Sequence, residues 1–326
     1  MKIVLTGSLG HISKPLAQEL VQKGHTVTVI SSKPERQKEI EALGATAAIG
    51  SIEDVAFLTS TFTGADAVYT MLPPPSFSDP TFELMAHVRN ITNNYAQAIK
   101  QAGVKRVVHL SSIGAHMAKE SGLILMHHAA EGILDGLQNV DITFMRPVGF
   151  YYNLLSFIPA IKNMGGMASN YGAEDVIPWV SPIDIAAAIA EEITTPSLQH
   201  RKVLYVASEE LACNEVARIL GAAIGKPDLK WTLITDEQLL NIYAGFGMPQ
   251  AIAAGLVEMQ STTVSKHLQI LTECELLGQE QNGREIYYHI NAKRMKEVQD
   301  FIEPFRKMWD DRFDKLETMM KQHKSK

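Results

Sequence analysis

The chain has 326 residues, 46% of them apolar, and a formal net charge of −6; the length suits one large domain plus a small one, or two of moderate size, and either can bury a substantial core. The acidic balance excludes a global positive field that would drive non-specific nucleic-acid binding, so any DNA contact has to be local. The two cysteines, Cys213 and Cys274, stand far apart and outside any CxxC pair, which speaks against a disulfide framework or a zinc site, and no metal site is expected.

The opening MKIVLTGSLG runs straight into an apolar pattern, without the basic segment, apolar core and small-residue cleavage site of a signal peptide. No stretch reaches membrane-spanning length, and the expected compartment is the cytoplasm. Lys2 to Leu5 reads as a strand, and Thr6 to Ser13 as the turn into a helix whose Leu16, Leu20 and Val21 share one face. Gly24 suits the end of that helix. Further strands are expected at Val27 to Ile30, Ala45 to Ile49, Ala67 to Met71, Arg106 to Leu110 and Ile142 to Met145, separated by helical patterns. Strands alternating with helices imply an α/β fold with a parallel sheet wound on both faces.

In such a sheet the first strand-to-helix turn faces a dinucleotide pyrophosphate, because glycine lets the backbone approach and the helix start points free amides at the anion. Gly7 and Gly10 fit those roles, and Ser13 replaces the third glycine of the usual fingerprint. A carboxylate after the second strand would hold the ribose hydroxyls of NAD. This chain instead places Ser31, Ser32 and Lys33 there, with Arg36 one helical step on, which favours NADP(H) over NAD(H). A solvated helix start is the plainer reading of Lys-Pro-Glu-Arg.

Taken in order, TGSLGHIS at the start, GSIED after the third strand, Leu72-Pro73 after the fourth, VKRVVHLSSIGA for the fifth and MRPVGFYYNLL after the sixth resemble the NmrA-like, atypical short-chain dehydrogenase/reductase family. The resemblance covers residues 1–258 and leaves 259–326 as a separate module. It implies a Rossmann domain that binds NAD(P) under a small α/β lobe. Some members reduce quinones or other electrophiles, and others sense the redox state of the cofactor without turnover. Cofactor contacts are then expected from Gly7, Leu9, Gly10, His11, Ile12, Ser31, Ser32, Lys33, Arg36, Leu72, Pro73 and Ser111.

A standard short-chain reductase uses a serine after the fifth strand and a Tyr-x-x-x-Lys pair, where the lysine lowers the tyrosine pKa. Ser111 and Ser112 are present, but the pair is not: the segment offers His127 and His128, with Glu131 one turn later. His127 stands where related atypical members carry lysine, so Ser111 and His127 are the catalytic candidates, against a packing role for the histidine. The resemblance also sets Phe150, Tyr151, Tyr152 and Asn153 above the nicotinamide, a lining that suits a flat hydrophobic substrate such as a quinone and equally suits core packing of the lobe. Trp179, Ser181 and Asp184 read as a strand entering a helix. Residues 203–206 and 231–234 read as short lobe strands around a helix bearing Val216, Ile219 and Leu220.

Residues 261–291 look like the second half of an ArsR-type winged helix-turn-helix. A short amphipathic helix would offer Thr262, Thr263, Lys266 and His267 to a DNA groove, followed by a hairpin turning at Asn282-Gly283 with Arg284 at its tip. Gln250 to Val257 would serve as the positioning helix, and no earlier helix completes the module. The apolar stripe from Val298 to Met320 predicts a homodimer contact through the last helix, with packing against the Rossmann domain as the competing outcome. Two functions follow: an NAD(P)H-dependent oxidoreductase acting on a small electrophile, which the chain favours, or a cofactor-sensing transcriptional regulator that binds double-stranded DNA. A segment of 259–326 without DNA affinity is the third outcome.

Overall fold

A computed structural model of the chain describes residues 1–74, 82–197, 199–260, 277–282, 285–294 and 296–297. The chain separates into two units, Met1–Ser261 and Thr262–Lys326.

In the first unit, strands and helices alternate as β1 (Lys2–Leu5), α1 (Ser13–Gln22), β2 (Thr26–Ser31), α2 (Gln37–Ala42), β3 (Thr46–Ile49), α3 (Val55–Phe62), β4 (Ala67–Met71), α4 (Leu84–Ala102), β5 (Arg106–Leu110), α5 (Leu125–Asp135) and β6 (Asp141–Pro147). The chain continues through β7 (Gly149–Phe150), α6 (Ile158–Met164), β8 (Met167–Ser169), β9 (Val176–Val180), α7 (Pro182–Thr194), β10 (Arg201–Val206), β11 (Glu209–Ala212), α8 (Cys213–Ala223), β12 (Trp231–Leu233), α9 (Asp236–Gly245) and a helix over 250–260, here α10.

Seven strands form one parallel sheet in the order β10-β6-β5-β4-β1-β2-β3. Runs such as Val107-Val108 and Ala67 to Thr70 are buried because helices cover both faces, which is why they read as continuous rather than alternating strands. One face packs Leu16 and Leu20 of α1 and Ile185 and Ile189 of α7 against Ile3, Leu5 and Val108. The other packs Ile91, Tyr95 and Ile99 of α4 and Leu134 of α5 against Val4, Val68 and Ile142. After β1 the chain runs outward through β2 and β3, then crosses to β4 and runs the other way. That switch opens a crevice at the carboxyl ends of β1 and β4.

One strand joins a different sheet from the one expected. Residues 203–206 belong to β10, which pairs with β6 along the register Arg201↔Ile142 to Val206↔Pro147 and forms an edge of the main sheet. Local sequence records the strand but not its partner. The lobe is built instead from β7-β9-β11 and the pair β8-β12 around Trp179 and Trp231. Ser181 caps α7 by accepting from the Ile183 and Asp184 amides, and Pro182 follows it at the helix start.

The helix α10 also departs from expectation. Ala253 and Val257 are buried, the Asn170 Nδ2 donates to the Val257 carbonyl at 3.1 Å, and the Ser169 hydroxyl meets Gln260 at 3.3 Å. Its apolar side completes the lobe, so residues 250–257 are architecture of the first unit rather than a positioning helix for a DNA reader.

In the second unit, β13 (Leu277–Asn282) and β14 (Glu285–Ile290) form an antiparallel hairpin whose last pair is Asn282↔Glu285. Asn282 therefore lies in the strand, one position before the turn centre expected for it. Thr262, Thr263, Lys266, His267 and Arg284 lie outside the described residues, as does the stripe from Val298 to Met320. Among the described residues no helix is long and apolar enough to cross a membrane, and no group of side chains could hold a metal ion.

Candidate active site

The turn after β1 is shaped by close contacts. Gly7 has φ +86°, and a Cβ there would lie 2.4 Å from Met71 Sδ and 2.5 Å from Ser13 Oγ, so the position admits glycine alone. Ser8 follows in the left-handed region at φ +53°, and Gly10 donates to the Gly7 carbonyl at 3.1 Å. Ser13 works at the third position of the fingerprint because its hydroxyl donates to the Thr6 carbonyl at 3.1 Å and stays buried. Helix α1 begins without a side-chain cap and without an acidic residue in its first turn; the Lys14 amide donates to the Gly10 carbonyl at 3.0 Å and Pro15 has no N–H, so an anion is left the amides ahead of Lys14.

At the end of β2 the Ser31 Oγ accepts from the Ser8 hydroxyl at 2.9 Å and from the Lys33 amide at 3.2 Å. Ser32 and Lys33 are exposed beside it. Arg36 is engaged elsewhere, pairing with Glu39 at 2.8 Å while Lys14 holds the same carboxylate at 3.0 Å. Those two bonds, Lys14 first, keep the Glu39 carboxyl below its ordinary range. After β3, the Asn94 amide donates to the Glu53 carbonyl at 3.2 Å and pins the Gly50 to Glu53 turn.

The other end of the crevice is built on β5 and α5. The Ser111 hydroxyl donates to Glu131 Oε1 at 2.5 Å. Arg146 brackets the same carboxylate, Nε to Oε1 at 2.9 Å and Nη2 to Oε2 at 2.5 Å, and its Nη1 donates to the Tyr205 hydroxyl at 3.1 Å. The bond to Glu131 raises the Arg146 pKa, so the guanidinium stays charged inside the wall. His127 has an Nδ1 shielded from solvent and without a partner. Burial lowers its pKa to about 4 against the opposing pull of Glu131, so the imidazole is neutral at pH 7. His128 donates from Nδ1 to the Ala115 carbonyl at 2.9 Å, which fixes that ring as a packing residue. Behind them His109 is fully buried against Thr70, at 2.9 Å.

Between these two ends lies one cavity of about 840 Å³. Of the expected residues, Gly7, Gly10, His11, Ile12, Ser31, Ser32, Lys33, Leu72, Pro73, Ser111, His127, Phe150 and Tyr152 face it. His11 and Tyr152 meet ring to ring at 3.9 Å across its rim. Four do not line it. Leu9 packs on the core, Arg36 pairs with Glu39, Asn153 is exposed, and Tyr151 stacks on Trp179 at 5.6 Å and donates to Glu209. Sequence reasoning missed Tyr95, Met126 and Pro182, which carry no local signal, and left Pro147 unassigned although it lies in the landmark MRPVGFYYNLL. It also left Gly50 to Glu53 unassigned although GSIED stood out as a landmark.

The cavity matches what a dinucleotide needs: a turn that only glycine fits, an uncapped helix start beside it, and hydroxyls with a free ammonium at the end of β2. A model of the NmrA-like family matches residues 1–269. NAD(P)H azoreductase of Xenophilus azovorans is 26% identical over 267 residues, spanning 82% of this chain and 88% of that protein. The (4-alkanoyl-5-oxo-2,5-dihydrofuran-3-yl)methyl phosphate reductase of Streptomyces griseus is 25% identical over 276 residues, spanning 85% and 93%. Among solved structures, the NADPH-dependent quinone oxidoreductase from Escherichia coli in complex with NADPH superposes with a TM-score of 0.64 at 22% identity, covering 81% of this chain and 93% of that one. Triphenylmethane reductase from Citrobacter sp. complexed with NADP(H) gives 0.65 at 20% identity, covering 80% and 90%. Those two likenesses speak to the fold, whereas the family match runs from β1 past α10, through both the sheet and the lobe that enclose the cavity, and on it the chain belongs to the NmrA-like family.

Proposed function

We propose that the protein is an NAD(P)H-dependent reductase, with NADP(H) preferred, acting on a small flat electrophile of the quinone or azo kind. The observation that carries this reading is the single cavity that joins the Gly7 turn and the end of β2 to the apolar and aromatic end at Met126, Phe150 and Tyr152. The relatives named as an NAD(P)H azoreductase and as a (4-alkanoyl-5-oxo-2,5-dihydrofuran-3-yl)methyl phosphate reductase support reduction as the reaction class.

In this reading Gly7, Ser8, Gly10 and the first turn of α1 hold the pyrophosphate, and Ser31, Ser32 and Lys33 hold the adenosine 2′-phosphate. A reduced nicotinamide, when bound, supplies two electrons as a hydride. The chain's own part is to orient and to keep water away. Leu72, Pro73 and Met126 make dry walls, Phe150 and Tyr152 offer aromatic faces for a flat acceptor, and the Ser111–Glu131–Arg146 cluster fixes the end of β5. His127 lines the cavity and is neutral, and since its Nδ1 is shielded from solvent it would share a proton with the acceptor through Nε2 rather than act as a cation.

Loss of dihydronicotinamide absorbance with a panel of quinones and azo dyes tests the proposal. Turnover with at least one acceptor is expected. Tight NADPH binding with no acceptor reduced would instead favour a redox sensor. The β13–β14 hairpin is the one described feature that favours DNA binding through the second unit. A salt-dependent shift of duplex DNA, weakened by Lys266→Ala and Arg284→Ala, is the result that reading requires.

A further inference from the structure

The chain leaves β7 as a 3₁₀ helix over Tyr151–Phe157, in which residues three apart stand one above another. That period sorts its side chains into three rows. Tyr151, Leu154 and Phe157 pack on the lobe core around Trp179 and Trp231. Asn153 and Ser156 make a second row, polar and exposed. The third row is Tyr152, Leu155 and, where α6 takes over, Ile158, and these side chains are 44%, 51% and 41% exposed. A single exposed apolar residue needs no explanation. Three in one line do, because the neighbouring row already serves the core.

The row starts inside the cavity, since Tyr152 lines it and meets His11 at its rim. Strands β7 and β9 run parallel with Phe150 beside Val180, so the chain leaving β9 emerges next to the chain leaving β7. There Pro182 lines the cavity, and the residue after it, Ile183, is exposed. The exposed row is thus the outward continuation of the apolar end of the cavity. From Pro147 to Ile161 no residue carries a charge, so nothing along it favours an ionic ligand. The strip is one side chain wide and, at a 3₁₀ rise of about 2 Å per residue, about 12 Å long. Its area falls well short of the roughly 800 Å² per partner that a stable protein contact buries, and its width suits a single hydrocarbon chain.

We infer that the acceptor carries an apolar tail, an alkyl or prenyl chain on its flat head, and that Tyr152, Leu155 and Ile158 form the track on which this tail lies outside the cavity. This rests on the reductase reading and narrows it to a substrate class. The head takes the enclosed end beside Met126 and Phe150, and the tail leaves past Tyr152. Burying a methylene completely changes affinity by about fourfold. An open track covers one side of the chain only, so about twofold per methylene is expected.

Binding and turnover can be read apart. Naphthoquinones with methyl, hexyl and decyl tails are titrated into the full chain holding NADP⁺, which has no hydride to give, and tryptophan fluorescence reads the dissociation constants. From methyl to hexyl the constant should fall by about 30-fold, about twofold for each added methylene. Leu155→Ser and Ile158→Ser, at exposed positions, should each cut that gain by about fourfold, the share of two methylenes, and leave the methyl compound unchanged. Val203→Ser, at an exposed apolar position on β10, should change neither. With NADPH, the longer tail should lower KM and leave kcat as it is. A constant that ignores the tail, no binding of the decyl compound, or a gain that survives in both track variants overturns the assignment. So does a tail-independent result in which Leu155→Ser abolishes binding to phosphatidylcholine vesicles or a dimer in sedimentation, because the row would then face a membrane or a second copy. Tail-dependent binding with no acceptor reduced would count against the reductase reading alone.

Discussion

Gly122 and Gly255 meet backbone to backbone: a Cβ on Gly122 would lie 2.0 Å from the Gly255 carbonyl oxygen. Gly122 also has φ +55° and opens the short turn, Gly122–Ile124, that leads into α5 with His127 and Glu131. The last helix of the first unit is thereby tied to the wall of the cavity. Gly122→Ala combines left-handed strain with a clash against backbone that cannot step aside, and is expected to cost about 2–4 kcal/mol. Gly255→Ala should cost less, because the atom in its way is the far end of the Leu123 side chain at 2.9 Å. Urea unfolding of the two variants checks the order, and equal costs would mean that the contact yields.

Cofactor preference should rest on Lys33 more than on Arg36. Lys33 is exposed at the end of β2 and faces the cavity, while Arg36 is paired with Glu39. Lys33→Ala is expected to weaken NADPH binding by about tenfold, the equivalent of one hydrogen bond to a charged group, and to leave NADH nearly unaffected. Arg36→Ala should have a smaller effect. Calorimetry with both dinucleotides reads the outcome, and equal losses for NADH and NADPH would remove Lys33 from the 2′-phosphate site.

Buried charge beneath the sheet gives an acid-sensitive contribution to stability. Burial pushes the Glu192 carboxyl up, but bonds from Lys202, Thr143 and Arg106 outweigh it and leave the pKa below its ordinary value. Arg106 meets Glu192 at 2.6 Å and Lys202 meets it at 2.7 Å. With the folded pKa depressed, the stabilisation is present above the unfolded value near 4.5 and is lost as pH falls through the folded one. Glu192→Gln should therefore destabilise strongly at pH 7, and the gap to the native protein should narrow below pH 4. A gap that holds constant with pH would show that packing, not charge, is what the glutamate contributes.

The strands of the main sheet were legible because each is a short apolar run bounded by turn residues, and β4 and β5 begin and end where those runs do. What the runs do not carry is partnership. β10 reads as a strand on its own, but its place beside β6 depends on contacts about sixty residues apart in sequence. The site divided the same way. Gly7, Lys33 and Ser111 stood out through local patterns, whereas the bond of Ser111 to Glu131 and the bracket from Arg146 join three elements and leave no trace in spacing. Ser13 looked like a departure from the glycine fingerprint, and the Thr6 carbonyl that accommodates it is visible only in three dimensions. At the hairpin, Asn282-Gly283 marked the turn to within one residue, since such pairs specify a tight turn but not its register.

Two histidines, His127 in the cavity wall and His109 buried behind it, make stability fall on mild acidification. In the unfolded chain each takes up a proton near 6.5, whereas burial lowers the folded values to about 4 for His127 and about 3 for His109. Between pH 6.5 and 4 the unfolded state binds up to two protons more than the folded one. The stability therefore declines as pH drops, by at most about 1.4 kcal/mol per pH unit for each histidine. His127→Gln should remove one of the two protons and flatten the slope accordingly, which urea unfolding at pH 7, 6 and 5 would show. The same depressed value means that His127 stays neutral throughout the range in which reductase activity would be assayed, so kcat should show no titration assignable to it between pH 6 and 8. A kcat profile with an inflection near 6.5 that disappears in His127→Gln would mean that the ring is open to solvent, and the proposed proton-sharing role of the neutral imidazole would go with it.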